Sequence, residues 1–209
     1  MEFAKALNLQ KGLTAIIGSG GKTSLMLHLA QELSERARVI VTTSTHIFPP
    51  KEIPITEEIQ GDFSCICVGT PCENGKLTTP RQSFEELKAL ADYVLIEADG
   101  SKHLPLKAHL AHEPVIPDGA DVVCVVGASG LDQPICETVH RFERFFELTG
   151  SEIATPNAVA KALQAENFAR IYLINQIDTN ENAARLLASL LPQKAVLSCL
   201  NKGEIICSF

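Results

Sequence analysis

The run Gly18-Ser19-Gly20-Gly21-Lys22-Thr23-Ser24 follows a continuous apolar segment, Leu13-Thr14-Ala15-Ile16-Ile17. After it, Leu25, Met26, Leu29, Ala30 and Leu33 recur at helical spacing, the helix reaching from Thr23 to about Ala37. Arg38-Val39-Ile40-Val41-Thr42 then forms a second buried strand. A strand, a glycine turn, a helix and a strand within about 30 residues make one β-α-β unit, whose two strands are parallel and joined by a right-handed crossover. The turn also has the parts that an anion needs. Glycines bring backbone N–H groups close, and the helix N-terminus adds partial positive charge. Lys22 is placed for the β- and γ-phosphates of a nucleotide and the Thr23 hydroxyl for Mg²⁺.

The rest of the chain repeats the rhythm. Strands are expected at Tyr93–Ile96, running on into Glu97-Ala98-Asp99-Gly100, and at Val122–Val126, Ile171–Ile174 and Ala195–Leu197. Ser83, with Glu86 three residues on, is a capping box for a helix whose Leu87 and Leu90 face inward. Glu137–Leu148 reads as a helix closed by Gly150, Thr155-Pro156 as the start of another, and Ala183–Leu190 as a third. Between Phe48 and Pro80 the pattern is broken by Pro49, Pro50 and Pro54; Phe63–Val68 reads as a strand and Glu73-Asn74-Gly75-Lys76 as a turn, hence a small peripheral hairpin or flap. Six or so strands alternating with helices predict an α/β fold with a doubly wound, mostly parallel sheet of the P-loop NTPase type. With 209 residues, 45% of them apolar, and no linker or repeat, residues 1–209 are expected to be a single domain.

Charge and cysteine usage narrow the setting. Eighteen Lys+Arg against 25 Asp+Glu give a net charge of −7 with no dense basic block, which argues against nucleic-acid and anionic-membrane partners. No apolar run approaches the roughly 20 residues of a spanning helix. The opening Met-Glu-Phe-Ala-Lys lacks the layout of a secretory signal, and the seven cysteines form no C-x-x-C pair, so a cytoplasmic protein with free thiols is expected. Cys65, Cys67 and Cys124 read as small buried residues of strands; Cys72, Cys136, Cys199 and Cys207 fall at positions open to exposure.

The loop's spacing departs from the usual one, which asks for glycine where Ile16 stands, and resembles the shorter G-x-x-G-K-[ST] of Mur-type ligases. Lys22 reads as an exposed loop side chain, so its truncation is expected to cost triphosphate binding and leave the fold intact. Glu97 and Asp99, at the end of an apolar strand, are the acidic residues expected to hold Mg²⁺ or position water, which makes Lys22, Glu97 and Asp99 the catalytic set and Thr23 with Glu97 the Mg²⁺ ligands. The hydroxyls of Thr42-Thr43-Ser44-Thr45, followed by His46, either meet the γ-phosphate or Mg²⁺ or satisfy loop backbone. Asn175-Gln176-Ile177-Asp178 resembles the N-K-x-D of GTPases with Gln176 in place of lysine, and Ser198-Cys199-Leu200 resembles their base-supporting loop; Asn175 and Asp178 thus favour guanine, with ATP or GTP left open. The segment Ser101–Pro117 carries Lys102, His103, Lys107, His109, His112 and Glu113. It either holds an anionic second substrate or is a solvated surface loop, and His109-x-x-His112 has too few partners for a metal site.

Seven segments together resemble the YqeC family, accessory proteins of selenium-dependent molybdenum hydroxylases. They are Gly18–Ser24, Thr42–His46, Glu97–Ser101, Leu104–Ala108, His112–Pro117, His140-Arg141-Phe142 and Asn175–Asp178. The resemblance runs in order from about residue 13 to residue 200, and Glu97–Pro117 is its most specific block. It implies a P-loop NTPase fold and a role in maturing a molybdenum hydroxylase or its molybdenum cofactor, with Gly18–Thr23 on phosphate, Glu97 and Asp99 as the acidic site, and Leu104–Pro117 as the family's own surface. Lys102 stands where an arginine was expected. Three functions fit: a Mg²⁺-dependent nucleotide-hydrolysing maturation factor; a small-molecule kinase or Mur-like ligase with its acceptor against Lys102, Lys107 and His112; and a non-hydrolysing binder of a phosphate-bearing cofactor such as a molybdopterin nucleotide. Oligomeric state is not legible.

Overall fold

The structure is a computed structural model describing residues 2–209. Its frame is a nine-stranded sheet. In chain order the strands are β1 (Gly12–Gly18), β2 (Val39–Thr43), β3 (Ile55–Thr56), β4 (Cys65–Val68), β5 (Tyr93–Glu97), β6 (Asp121–Gly127), β7 (Ile171–Asn175), β8 (Lys194–Cys199) and β9 (Glu204–Ser208). In space they run β9-β8-β7-β6-β1-β5-β2-β4-β3, every pair parallel except β8–β9. The doubly wound, mostly parallel α/β sheet expected from the sequence is therefore present.

Both faces are covered, which is why the central strands are continuous apolar runs. On one side, Leu25, Met26, Leu29 and Leu33 of α2 (Lys22–Ser34) pack with Phe3 and Ala6 of α1 (Phe3–Ala6) onto Ile16, Val41, Leu95 and Val123. On the other, α3 (Phe84–Leu90) lies over Leu13, Val94 and Ile96. Ala15, Cys124 and Tyr172 meet α6 (Pro156–Glu166) and α7 (Glu181–Leu190). The starts of three helices are chemically marked. Ser83 and Glu86 form the expected capping box, Thr155 accepts from Ala158 N ahead of Pro156, and Asn180 accepts from Ala183 N.

The expected flap is a three-stranded antiparallel patch of His46–Ile47, Leu77–Thr78 and Thr70–Pro71, with Glu73–Gly75 as its turn and Asn74 at φ 61°. Buried Ile47 and Leu77 anchor it.

The structure departs from the sequence reading, or decides what it left open, at four places. The helix expected over Glu137–Leu148 is two, α4 (Ile135–Thr138) and α5 (Phe142–Thr149). Between them Val139–His140 pairs in parallel with Leu106–Lys107, and Arg141 turns left-handed (φ 68°). Apolar helical spacing does not reveal that these two residues have a strand partner. Ser101–Pro117 is solvated only in part: Leu106, Lys107, Ala108 and His109 are buried, while Lys102, His103 and His112 are exposed. Cys199 is buried at the end of β8. The edge strand β9 was not anticipated, because only alternate residues of Glu204–Ser208 are partly buried and the run carries no continuous apolar signal.

Candidate functional site

The strand order reverses about β1: the chain leaves it through α2 toward β2 on one side, while the connection after β5 crosses to β6 on the other. Open α/β sheets place ligands in that crevice, beyond the carboxyl ends of the strands. A cleft of about 720 Å³ lies there, walled by Gly20–Ser24, Glu97, the flap and the segment after β5.

The glycine loop is set by close packing. Gly18, Gly20 and Gly21 have φ of 87°, 84° and 134°. A β-carbon on Gly20 would stand 2.5 Å from Gly127 Cα and 2.9 Å from the Pro105 carbonyl oxygen; on Gly18 it would strike the Val125 carbonyl. Ser19 N donates to Val125 O at 2.8 Å, and the Ser19 hydroxyl donates to Leu104 O. The amides of Gly20, Gly21, Lys22, Thr23 and Ser24 have no acceptor among the described residues, so the first turn of α2 faces the cleft with free donors. Gly20→Ala is expected to cost about 1–3 kcal/mol through backbone strain alone, with added loss from the collision. An unchanged urea midpoint would show the loop to be more pliant than this packing allows.

Thr23 and Glu97 meet at this turn, the hydroxyl donating to Glu97 Oε2 at 2.7 Å. Burial raises the Glu97 pKa, opposed by the Lys22 charge and by the Thr23 hydrogen bond. Two hard oxygens side by side on the cleft wall are a donor set that suits Mg²⁺, which takes few protein ligands and completes its shell with phosphate and water.

Lys22 is buried. Its Nζ donates to Gly18 O at 2.8 Å and stands 3.1 Å from Asp99 Oδ1. Asp99 is fully buried and lies behind the loop, not on the cleft wall. Its Oδ2 accepts from Gly18 N at 2.9 Å and lies 2.8 Å from His109 Nε2 and 3.4 Å from Lys107 Nζ. Burial works to raise the Asp99 pKa, but the His109 hydrogen bond and the charges of Lys22 and Lys107 outweigh it and hold the carboxyl down at about 2. The water- or Mg²⁺-positioning role expected of Asp99 thus gives way to an internal one, holding Gly18 and Lys22.

The chain of contacts continues inward. His109 Nδ1 lies 2.8 Å from Glu166 Oε2, and Lys107 Nζ reaches Gly100 O at 2.6 Å and Glu113 Oε2 at 2.5 Å. Arg141 Nε donates to Glu113 Oε1 at 3.0 Å. Burial disfavours a charged His109, yet the hydrogen bonds to Asp99 and Glu166 prevail and raise its pKa above 6.5. A raised folded pKa adds stability that is complete below the unfolded value and is lost as pH climbs through the folded one. Wild-type protein should therefore lose stability as pH rises above about 6.5, and His109→Gln should flatten that slope in urea titrations. Equal slopes for both would remove His109 as its source.

The remaining candidates separate. Asn175 is buried, and its Nδ2 donates to Gly20 O at 2.7 Å while Oδ1 accepts from Leu200 N at 2.9 Å; it ties the loop to the end of β8. Asp178 is exposed, lies off the cleft wall and pairs with Lys202 at 3.4 Å. Neither presents a free group to a base in the cleft. The Thr42–Thr45 hydroxyls serve mainly backbone: Thr42 donates to Val68 O, Thr43 to Glu97 O and Ser44 to Val115 O. His112 does not line the cleft, whereas Lys102 and His103 do. Sequence reasoning missed Phe48, Lys76 and Arg141 as cleft residues. Two signals were available: the place of Phe48 directly after the Thr42–His46 motif and Ile47, and that of Arg141 within the His140-Arg141-Phe142 segment.

A parallel α/β sheet with a glycine loop closing its central strand defines a P-loop-type protein. The YqeC protein family matches residues 14–143, and the chain belongs to that family. It is 36% identical over 175 residues to the Uncharacterized protein YqeC of Escherichia coli (strain K12), a match covering 73% of this chain. The chain spans 66% of that relative's length. No solved structure matches it. The family match takes in the glycine loop, Glu97–Pro117 and His140–Phe142, and stops short of Asn175–Asp178.

Proposed function

We propose that the cleft binds a Mg²⁺-nucleoside triphosphate, ATP or GTP, and that the protein hydrolyses it or transfers its terminal phosphoryl group. The observation that carries this reading is the set of free amides from Gly20 to Ser24 beside the Thr23–Glu97 oxygen pair. The amides and the helix N-terminus hold the phosphates, and Lys22, swung from Gly18 O, neutralises charge on the β- and γ-oxygens. Thr23 and Glu97 hold Mg²⁺, whose chemistry is to spread the charge that builds on phosphate oxygens. Glu97 also orients the attacking hydroxyl or water. Catalysis is mainly electrostatic and positional.

Phosphoryl transfer to an acceptor has specific support over plain hydrolysis. The cleft extends past the loop to Lys76, Lys102, His103 and Arg141, side chains beyond those that a triphosphate on the loop would meet. This set replaces the Lys107 and His112 expected of an acceptor site, Lys107 being buried. The client we propose is a selenium-dependent molybdenum hydroxylase or its molybdopterin cofactor, the role that the resemblance of Glu97–Pro117 and the other segments implies. No described helix is long and apolar enough to cross a membrane.

The test is titration of the full chain with Mg-ATP and Mg-GTP while phosphate release is followed in the same tubes. Saturable binding of one, with slow release alone, is the expected result. Absence of binding by either at millimolar concentration would end the reading and leave the non-hydrolysing cofactor binder.

A further inference from the structure

We propose that Phe48 is a ring-stacking platform of the cleft, taking one face of a planar heteroaromatic ring of an anionic ligand, with Lys102 and His103 on the same cleft wall for an anion that the loop does not hold. This deepens the reading above and rests on it for the assignment of the loop end of the cleft to phosphate.

Phe48 stands on the cleft wall with 60% of its surface exposed, while its flap neighbours Ile47 and Leu77 are buried at 4% and 3%. The flap is thus anchored, and the open phenyl ring is carried on a fixed support. Lys76 Nζ lies 4.8 Å from the ring centroid, a cation on one side of the ring. A single exposed phenylalanine is unremarkable by itself; the strain gathered along the same cleft is not. Eight non-glycine residues among those described have positive φ, and four of them line this one cleft: Lys102 (49°), His103 (62°), Arg141 (68°) and Gln176 (61°). Such conformations cost free energy and gather where a ligand is clamped. Lys102 and His103 are consecutive and exposed, and among the described residues neither side chain has a hydrogen-bond or ion-pair partner. An aromatic face and two unpartnered cationic or titratable groups across one cleft recognise a flat ring bearing phosphate or carboxylate.

The ring has two possible sources, the base of the bound nucleotide or a separate ring-bearing anion, and one set of titrations distinguishes them. The chain has no tryptophan, so Phe48→Trp supplies a sole indole at the platform. Inorganic triphosphate with Mg²⁺ reads the loop alone and should bind by calorimetry without altering indole emission. Quenching by Mg-ATP or Mg-GTP would identify the nucleotide's base as the ring. Quenching only when guanosine monophosphate is added to triphosphate-saturated protein would identify a separate ligand, with guanosine and ribose 5-phosphate each at least tenfold weaker. In either case Phe48→Ala should weaken the quenching ligand about tenfold in calorimetry, as loss of one stacking contact does, and Lys102→Ala should weaken it where it carries the anion. The proposal is overturned if no ring-bearing ligand alters the emission and Phe48→Ala binds all of them as wild type does. Triphosphate binding with no gain from a ring would leave the loop reading standing and remove the platform; ring binding without triphosphate binding would do the reverse.

Discussion

Asp99→Ala is expected to remove about 3–5 kcal/mol of stability, the usual cost of deleting one partner from a buried charge cluster. Asp99 is fully enclosed, and Lys22 Nζ (3.1 Å), Lys107 Nζ (3.4 Å) and His109 Nε2 (2.8 Å) converge on it. Without the carboxylate, the buried side chains of Lys22 and Lys107 repel each other across the gap, and Gly18 N loses its acceptor. A domain of this kind holds only about 5–15 kcal/mol in total, so the variant should be destabilised at 25 °C and unfolded well below the wild-type melting temperature. Asp99→Asn keeps the shape and an acceptor for Gly18 N, so it isolates the charge and should lose less. Urea unfolding of the three proteins checks this. A change below about 1 kcal/mol for Asp99→Ala would mean that water or rearrangement compensates the cluster.

Lys22→Ala is expected to lower triphosphate affinity or turnover by about a hundredfold or more, as removal of a preorganised electrostatic group does. It should also destabilise the fold. Lys22 is 4% exposed and pairs with Asp99, so the expectation from sequence that truncation leaves the fold intact does not survive its burial. The loss should be smaller than for Asp99→Ala, about 1–3 kcal/mol, because Lys107 and His109 still face the carboxylate. Paired calorimetry and urea unfolding separate the two effects. Unchanged affinity in the folded variant would take Lys22 out of the phosphate site.

The sequence made the glycine loop, its flanking strand and helix, and the Thr23–Glu97 pairing legible because each follows from local rules: a buried apolar run, a 3.6-residue period, a carboxylate at a strand end. Lys107 and His109 were illegible for the opposite reason. A segment rich in Lys and His reads as solvated until its acidic partners are known. His109 finds them in Asp99, 10 residues away, and in Glu166, 57 residues away. Asn175 misled in a related way, since an asparagine after a strand can serve a base or a backbone, and only the approach of Gly20 O and Leu200 N decides. The break at Val139–Arg141 depends on a strand partner at Leu106–Lys107, which no periodicity contains.

The central claim, that the first turn of α2 holds phosphate, is tested most directly by amide NMR of uniformly ¹⁵N-labelled protein during addition of Mg-ATP and Mg-GTP. The free donors at Gly20, Gly21, Lys22, Thr23 and Ser24 should show the largest shifts, saturating together, with Asn175 following through its bond to Gly20 O. Shifts confined to other parts of the chain, or none at saturating nucleotide, would contradict the account.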